Sequence, residues 1–316
     1  MLLNKLNNDI HKIYKRIMKM SLIQKIVLIF IIIVFWFIFS NNFKKIENYE
    51  NIKEKFTVKY GNDVYDEFYV SKYDQIFLNE RRNKFEIKEI IKDKPERILD
   101  VGSGTGYTVN LLTKLKYKVV GIDKSKEMIK YSKNKYEECK FINKDILEYD
   151  NLDDEKYTHI LCLGRTIYEI SDKNKFFEVC NNLLDFNGYL ILNLVNRDKF
   201  KPYVPSSNNK ILFDPEKYDK KIDQIIIKFD KNNEFISRYE LNNNNKDIYL
   251  PYSSYIEQFQ NFKNNVVRKN EIYLYLPEID EILKMAKENG FEVKRRVNMS
   301  NINYDHEYLY FFKKTL

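Results

Sequence analysis

The stretch RILDVGSGTGYTVNLL, residues 97–112, passes from an apolar run through an acid into a glycine-rich loop, then resumes an apolar pattern at helical spacing. Strand, tight turn and helix in that order make a loop suited to a nucleotide-like ligand. Three such loops compete. The phosphate loop G-x-x-x-x-G-K-[ST] fails, because no Gly-Lys pair follows. The dinucleotide fingerprint G-x-G-x-x-G fits Gly102 and Gly104 but meets Tyr107 at its sixth position. A strand ending in an acid followed by G-x-G-x-G fits LDVGSGTG, residues 99–106, in full. Gly102 and Gly104 let the backbone turn tightly and approach a ligand closely. Asp100 would repel a pyrophosphate and suits a ligand that carries positive charge.

Downstream, acids recur at strand ends. KVVGIDKS (118–125) reads as a second strand ending in Asp123, followed by a helix from SKEMIKYSK (125–133). CKFINKDILEYD (139–150) reads as a third strand leaving through Asp145, and YTHILCLGRTIYEI (157–170) as a fourth. LLDFNGYLILNLVN (183–196) gives a helix end, a Gly turn and a fifth strand. EIDEILKMAKENGFEVKRRVNM (278–299) gives a late helix and a sixth strand, and EYLYFFKK (307–314) a seventh.

Through these motifs, over residues 95–200 and 275–316, the chain resembles the class I S-adenosylmethionine-dependent methyltransferases. The resemblance implies an α/β, Rossmann-like fold: a seven-stranded, mostly parallel sheet with an antiparallel last strand. It implies S-adenosyl-L-methionine as cofactor, with Asp100, Gly102, Ser103, Gly104 and Gly106 around its methionine end. Asp123 would grip the ribose hydroxyls, flanked by Lys124 and Met128. Asp145 would hold the adenine amino group and the Ile146 amide a ring nitrogen. Leu163, Gly164 and Arg165 would line the cofactor and face the methyl acceptor.

Two segments fall outside the core resemblance. In NDVYDEFYVSKYDQIF (62–77), Tyr65, Phe68, Tyr69 and Tyr73 recur every three or four residues, an aromatic helical stripe. It either packs on the sheet or forms a lid, with Tyr69 and Tyr73 against the cofactor. Residues 200–275 are inserted after the fifth strand. IDQIIIKF and FISRYEL read as a hairpin, with further strand-like runs in KDIYLPY and NEIYLYL, and the family places a small antiparallel β cap here.

The N-terminus differs. Residues 26–43 contain no charge and include fourteen unbroken apolar residues, IVLIFIIIVFWFIF (26–39), bracketed by Lys25 and Lys44. The run is long enough for a short transmembrane helix. Residues 2–20 before it pattern as a basic amphipathic helix. The division expected is therefore 1–45 as a single-pass membrane anchor, 46–94 as linker and Tyr-rich lid helix, and 95–316 as catalytic domain. Six Lys/Arg precede the run and five follow within residues 41–60, so charge barely sets orientation. A catalytic domain in the cytosol is expected because the cofactor is made there.

Candidate catalytic side chains are Tyr168, as a base, and Arg165, paired with an anionic acceptor or with a surface carboxylate such as Glu169. His159, inside a strand, reads as a core residue. Three scattered cysteines offer neither a disulfide scaffold nor a zinc site, and no metal is expected. The net charge of +8 comes from dispersed lysines and gives little support to a nucleic-acid partner. "LGRT" stands where amine-directed DNA methyltransferases carry N-P-P-Y. The leading expectation is methyl transfer to an O, N or S atom of a small molecule, lipid or protein. The alternatives are an RNA methyltransferase, a non-catalytic membrane scaffold and, more distantly, a nicotinamide dehydrogenase. The oligomeric state is not encoded legibly.

Overall fold

The computed structural model describes residues 56–149, 156–199, 224–241 and 253–315, with Met18, Met20, Ser21, Gln24 and Lys25 near the N-terminus. The apolar run 26–43 lies outside the described residues, and among those no helix is long and apolar enough to cross a membrane. Residues Met1–Phe56 form a unit separate from Thr57–Leu316, and the second is the one described below.

Its central sheet has seven strands. In chain order they are β2 (Arg97–Val101), β3 (Lys118–Asp123), β4 (Lys140–Asn143), β5 (Tyr157–Cys162), β6 (Leu184–Val195), β11 (Phe291–Asn298) and β12 (Glu307–Lys314). Their spatial order is β11-β12-β6-β5-β2-β3-β4. Strands β2 to β6 are parallel, and β12 inserts antiparallel between β6 and β11. The order reverses between β2 and β5, and α/β sheets hold ligands at such a reversal, beyond the strands' C-terminal ends.

The sheet is buried on both faces, as a parallel sheet flanked by helices requires. Side chains alternate along each strand. Ile98, Val119, Leu161 and Ile191 meet Ile87 and Ile90 of α2 (Glu80–Ile90) and Val109 and Leu112 of α3 (Tyr107–Lys114). Leu99, Val120, Ile160 and Leu190 face the other way, in the core that holds Phe176, Phe177 and Cys180 of α6 (Lys173–Leu183). The same core takes Ile282 and Met285 of α7 (Ile279–Glu288). Between β3 and β4 runs α4 (Lys126–Lys135), and after β5 comes the single turn α5 (Thr166–Glu169).

The insertion forms an antiparallel meander of β7 (Gln224–Lys228), β8 (Asn233–Leu241), β9 (Ser253–Asn261) and β10 (Val266–Leu274). The hairpin of β7 and β8 is where the sequence places it. Strand β9 lies beyond the KDIYLPY run, which falls outside the described residues. A fifth strand, β1 (Phe56–Tyr60), joins β10 at the edge. The segment falls in the stretch expected to be linker, because five residues alone carry no period.

Helix α1 (Glu67–Phe77) follows β1 and is N-capped by Asp66, whose carboxylate accepts from the Tyr69 N–H. Tyr69, Tyr73 and Phe77 stack along one face, with Tyr65 edge-on to Tyr69. Phe68, expected in that stripe, is 44% exposed and lies under the Arg268 guanidinium instead.

Buried polar bonds tie α1 to the cap. Arg268 of β10 donates to both Asp66 oxygens at 2.8 Å and to the Val64 carbonyl. It also donates to Asn270, which donates to Glu257 of β9. Glu257 accepts the Tyr69 hydroxyl at 2.8 Å.

Candidate active site

The end of β2 and the loop after it are shaped by glycine. Gly102 has φ +68, and a Cβ there would lie 2.4 Å from Thr166. Both Gly102 N–H and Ser103 N–H donate to the Ile122 carbonyl, pinning the loop to β3. The Gly104 N–H donates to Asp123 Oδ2 at 2.9 Å and the Ser125 N–H to Oδ1 at 2.8 Å. Tyr73 lies over Gly104, 3.9 Å from where a Cβ would stand. Asp74 fastens α1 to the same loop, accepting the Thr105 hydroxyl and the Lys135 ammonium.

Two adjoining cavities open at this loop. One, of about 390 Å3, is lined by Asp123, Lys124, Met128, Asp145, Ile146 and Leu147. The other, of about 220 Å3, is lined by Asp100, Ser103, Leu163, Gly164 and Arg165. Its far wall is Tyr69 and Phe77 of α1 and Tyr239, Tyr255, Ile272 and Leu274 of the cap. Tyr65, Tyr73, Gly102, Gly104, Thr166, Glu169 and Ile272 line both.

The lining is acidic. Asp100 is 3% exposed. Burial pushes its carboxyl up to about 8, helped by the nearby charges of Asp123 and Glu86. Burial also raises Asp123, against the pull of the Ser125 and Gly104 N–H groups. Glu169 is raised by burial too, opposed by Lys124 and by the Tyr65 hydroxyl that donates to it at 2.7 Å. Carboxylates held this far from water favour a cationic ligand.

Cations share the lining, Arg82 and Arg165 at the smaller cavity and Lys124 and Lys144 at the larger. Arg82 of α2 binds Glu86 at 2.9 Å and Glu307 of β12 at 3.1 Å; the residue lines the smaller cavity, and its Nη2 is buried without a hydrogen-bond partner. A buried carboxyl, Asp100, and a guanidinium with one unpartnered nitrogen, Arg82, line one cavity and suit the two ends of an α-amino acid.

The sequence-derived residues divide. Asp100, Gly102, Ser103, Gly104, Asp123, Lys124, Met128, Asp145, Ile146, Leu163, Gly164, Tyr69, Tyr73 and Arg165 all line a cavity. Asp145 also caps the next turn, accepting from the Leu147 N–H, so its structural and ligand-facing readings coexist. The Ser103 hydroxyl is turned toward Gly121 of β3 rather than free for a ligand.

Gly106 lies in neither cavity. It has φ +83, and a Cβ would fall 2.5 Å from the Phe141 ring, so glycine here serves packing. Tyr168 is a correction: it is fully buried, its hydroxyl accepts from the Val195 N–H at 2.8 Å, and it lines neither cavity. Its neighbour Glu169 faces in, and is not the surface carboxylate expected. Arg165 pairs with Glu307 at 3.8 Å and lies over the Tyr239 ring. His159 is buried against Tyr189, held at about 4 by burial, and touches neither cavity.

A family described as "methyltransferase domain" matches residues 92–298, more than half of the chain. The chain belongs to the methyltransferase domain family. Its fold is that of the class I S-adenosylmethionine-dependent methyltransferases, and S-adenosyl-L-methionine is its cofactor. Among solved structures it is similar to the CcbJ methyltransferase from Streptomyces caelestis (13% identity, TM-score 0.59, covering 77% of this chain and 92% of that one). It is similar to an S-adenosylmethionine-dependent methyltransferase from Clostridium acetobutylicum (16%, 0.57, 78% and 98%). CalS10, an amino pentose methyltransferase from Micromonospora echinaspora, is a third (14%, 0.55, 79% and 98%). No curated protein matches the methyltransferase in sequence.

Proposed function

We propose that this methyltransferase is tethered to a membrane by residues 26–43 and methylates a small acceptor group held in the 220 Å3 cavity under its β cap. The carrying observation is the meeting of two cavities at the glycine loop, with Asp123 on one side and Asp100 on the other. A ligand with a nucleoside at one end and an amino acid at the other spans them.

Asp123 stands to receive the ribose hydroxyls. Asp145 and Ile146 stand to receive the base. Asp100 would take the ammonium and Arg82 the carboxylate. When bound, the cofactor would supply an electrophilic methyl carbon for the acceptor's lone pair, with its sulfur as the leaving group. The protein's own part is to align the acceptor, exclude water with Tyr65, Tyr69 and Tyr73, and move a proton.

An acceptor cavity of about 220 Å3 walled by the β cap supports a small molecule, or the reactive headgroup of a lipid or protein, over a nucleic acid duplex. The uncharged run 26–43 supports the tether, which raises the local concentration of membrane-borne acceptors. The cytosolic face is proposed because the cofactor is made there.

Titration of the full-length chain in mild detergent with S-adenosylhomocysteine and with NADH tests the cofactor site. Binding of the first alone is expected, and NADH binding instead contradicts it. Recovery of the full-length chain in the soluble fraction of a cell lysate would contradict the tether.

A further inference from the structure

We propose that the methyl acceptor is an amine that enters as its ammonium, and that Glu169 is the catalytic base that takes its proton. The inference rests on the cofactor reading above and concerns the same site.

Glu169 lines both cavities and so stands at their junction. A ligand held at both Asp123 and Asp100 has to pass this junction, and its reactive centre lies between those ends. Glu169 is held in place: Tyr65 donates to Oε2 at 2.7 Å, which leaves Oε1 open to a second donor. No cation among the described residues comes within salt-bridge distance of it.

The charges around it select the acceptor. Both arginines on the smaller cavity are committed to Glu307, at 3.1 Å and 3.8 Å, and Arg82 also to Glu86. Once Asp100 has met the cofactor's ammonium, Glu169 remains an acid with no ion-pair partner, its nearest opposing charge being Lys124, which acts on it from beyond salt-bridge distance. A carboxylate, phosphate or thiolate acceptor would meet repulsion here. An ammonium would meet a carboxylate flanked by the aromatic rings of Tyr65, Tyr69 and Tyr73, which also attract cations.

The chemistry agrees. An ammonium has no lone pair and has to lose a proton before it can react. The N–H bond breaks, the proton goes to Glu169, and the pair left on nitrogen is the one that closes on the methyl carbon. Burial raises the Glu169 carboxyl, which brings its basicity toward that of an amine. An alcohol lies far outside a carboxylate's reach as a base, and a thiol needs little help to ionise.

The test uses the full-length protein saturated with S-adenosylhomocysteine. It is titrated with benzylamine, benzyl alcohol and benzoate, three probes of one shape that differ in headgroup charge. Benzylamine is expected to bind at least about tenfold more tightly than the other two. In Glu169→Gln that preference should fall by about tenfold, with S-adenosylhomocysteine affinity within about threefold of wild type.

No amine preference in the wild type, including no binding of any probe at millimolar concentration, overturns the proposal. So does a preference that survives Glu169→Gln. Loss of S-adenosylhomocysteine binding in the variant alone would make Glu169 a cofactor ligand rather than a base, and also overturns it. Failure of the wild type to bind S-adenosylhomocysteine at all contradicts the cofactor reading instead.

Discussion

Asp123 and Gly104 are joined across the site: the Gly104 N–H donates to Asp123 Oδ2 at 2.9 Å, while the other carboxylate oxygen holds the Ser125 N–H. One carboxylate therefore shapes the glycine loop and presents its remaining lone pairs to the nucleoside cavity. The sequence alone suggests that Asp123→Ala would abolish cofactor binding and leave the fold untouched. The structure adds that the loop itself relaxes, because two backbone donors lose their acceptor. Asp123→Ala should weaken S-adenosylhomocysteine binding by about 10- to 100-fold and lower the melting temperature as well. Unchanged affinity in a calorimetric titration would contradict the assignment.

The glycines should separate by role. Gly106→Ala forces a Cβ to within 2.5 Å of the Phe141 ring at φ +83, and should cost about 2–4 kcal/mol of stability. Gly104→Ala meets only Tyr73, at 3.9 Å, and should cost about 1–2 kcal/mol, chiefly backbone strain at φ +52. Chemical denaturation of the two variants checks the order, and equal losses would contradict it.

Tyr168→Phe should leave methyl transfer intact. It strands the buried Val195 N–H, which should cost about 1–3 kcal/mol of stability. A loss of turnover at unchanged stability would return Tyr168 to the catalytic role that the sequence suggested.

Stability without cofactor should fall as pH rises from 5 to 7. Asp100, at about 8, and Glu257, at about 7, keep protons in the folded state that the unfolded chain has already released. Glu86, Asp123 and Glu169 act in the same direction. His159, at about 4, works against them up to its ordinary value near 6.5, but it is a single group. The depressed Lys173, at about 7, opposes only at higher pH. Asp100→Asn should flatten the slope of melting temperature against pH, and an unaltered slope would contradict the shift assigned to Asp100.

How far the sequence reaches follows from what each residue depends on. Asp100, Gly102, Gly104, Asp123 and Asp145 are legible because a loop beyond a parallel strand imposes local demands on them. The alternation of Ile98 and Leu99 between two cores is legible for the same reason. Tyr168 and Glu169 are adjacent on one helical turn and point to different surroundings, which only tertiary packing decides. Arg82 reaches the site from α2 by pairing with Glu307 near the end of the chain, a contact without any sequence period. Likewise β1 makes sense only once β10 lies beside it.

Asp100 is the central contact of the proposed cofactor site, as the receptor for the ammonium. Calorimetric titration of the full-length protein with S-adenosylhomocysteine at pH 7, in two buffers of different ionisation enthalpy, tests it directly. The wild type should release a fraction of one proton on binding, as a carboxyl at about 8 ionises to meet the ammonium, and Asp100→Asn should bind at least about tenfold more weakly with that release gone. Equal affinity and equal proton release in the two proteins would contradict it.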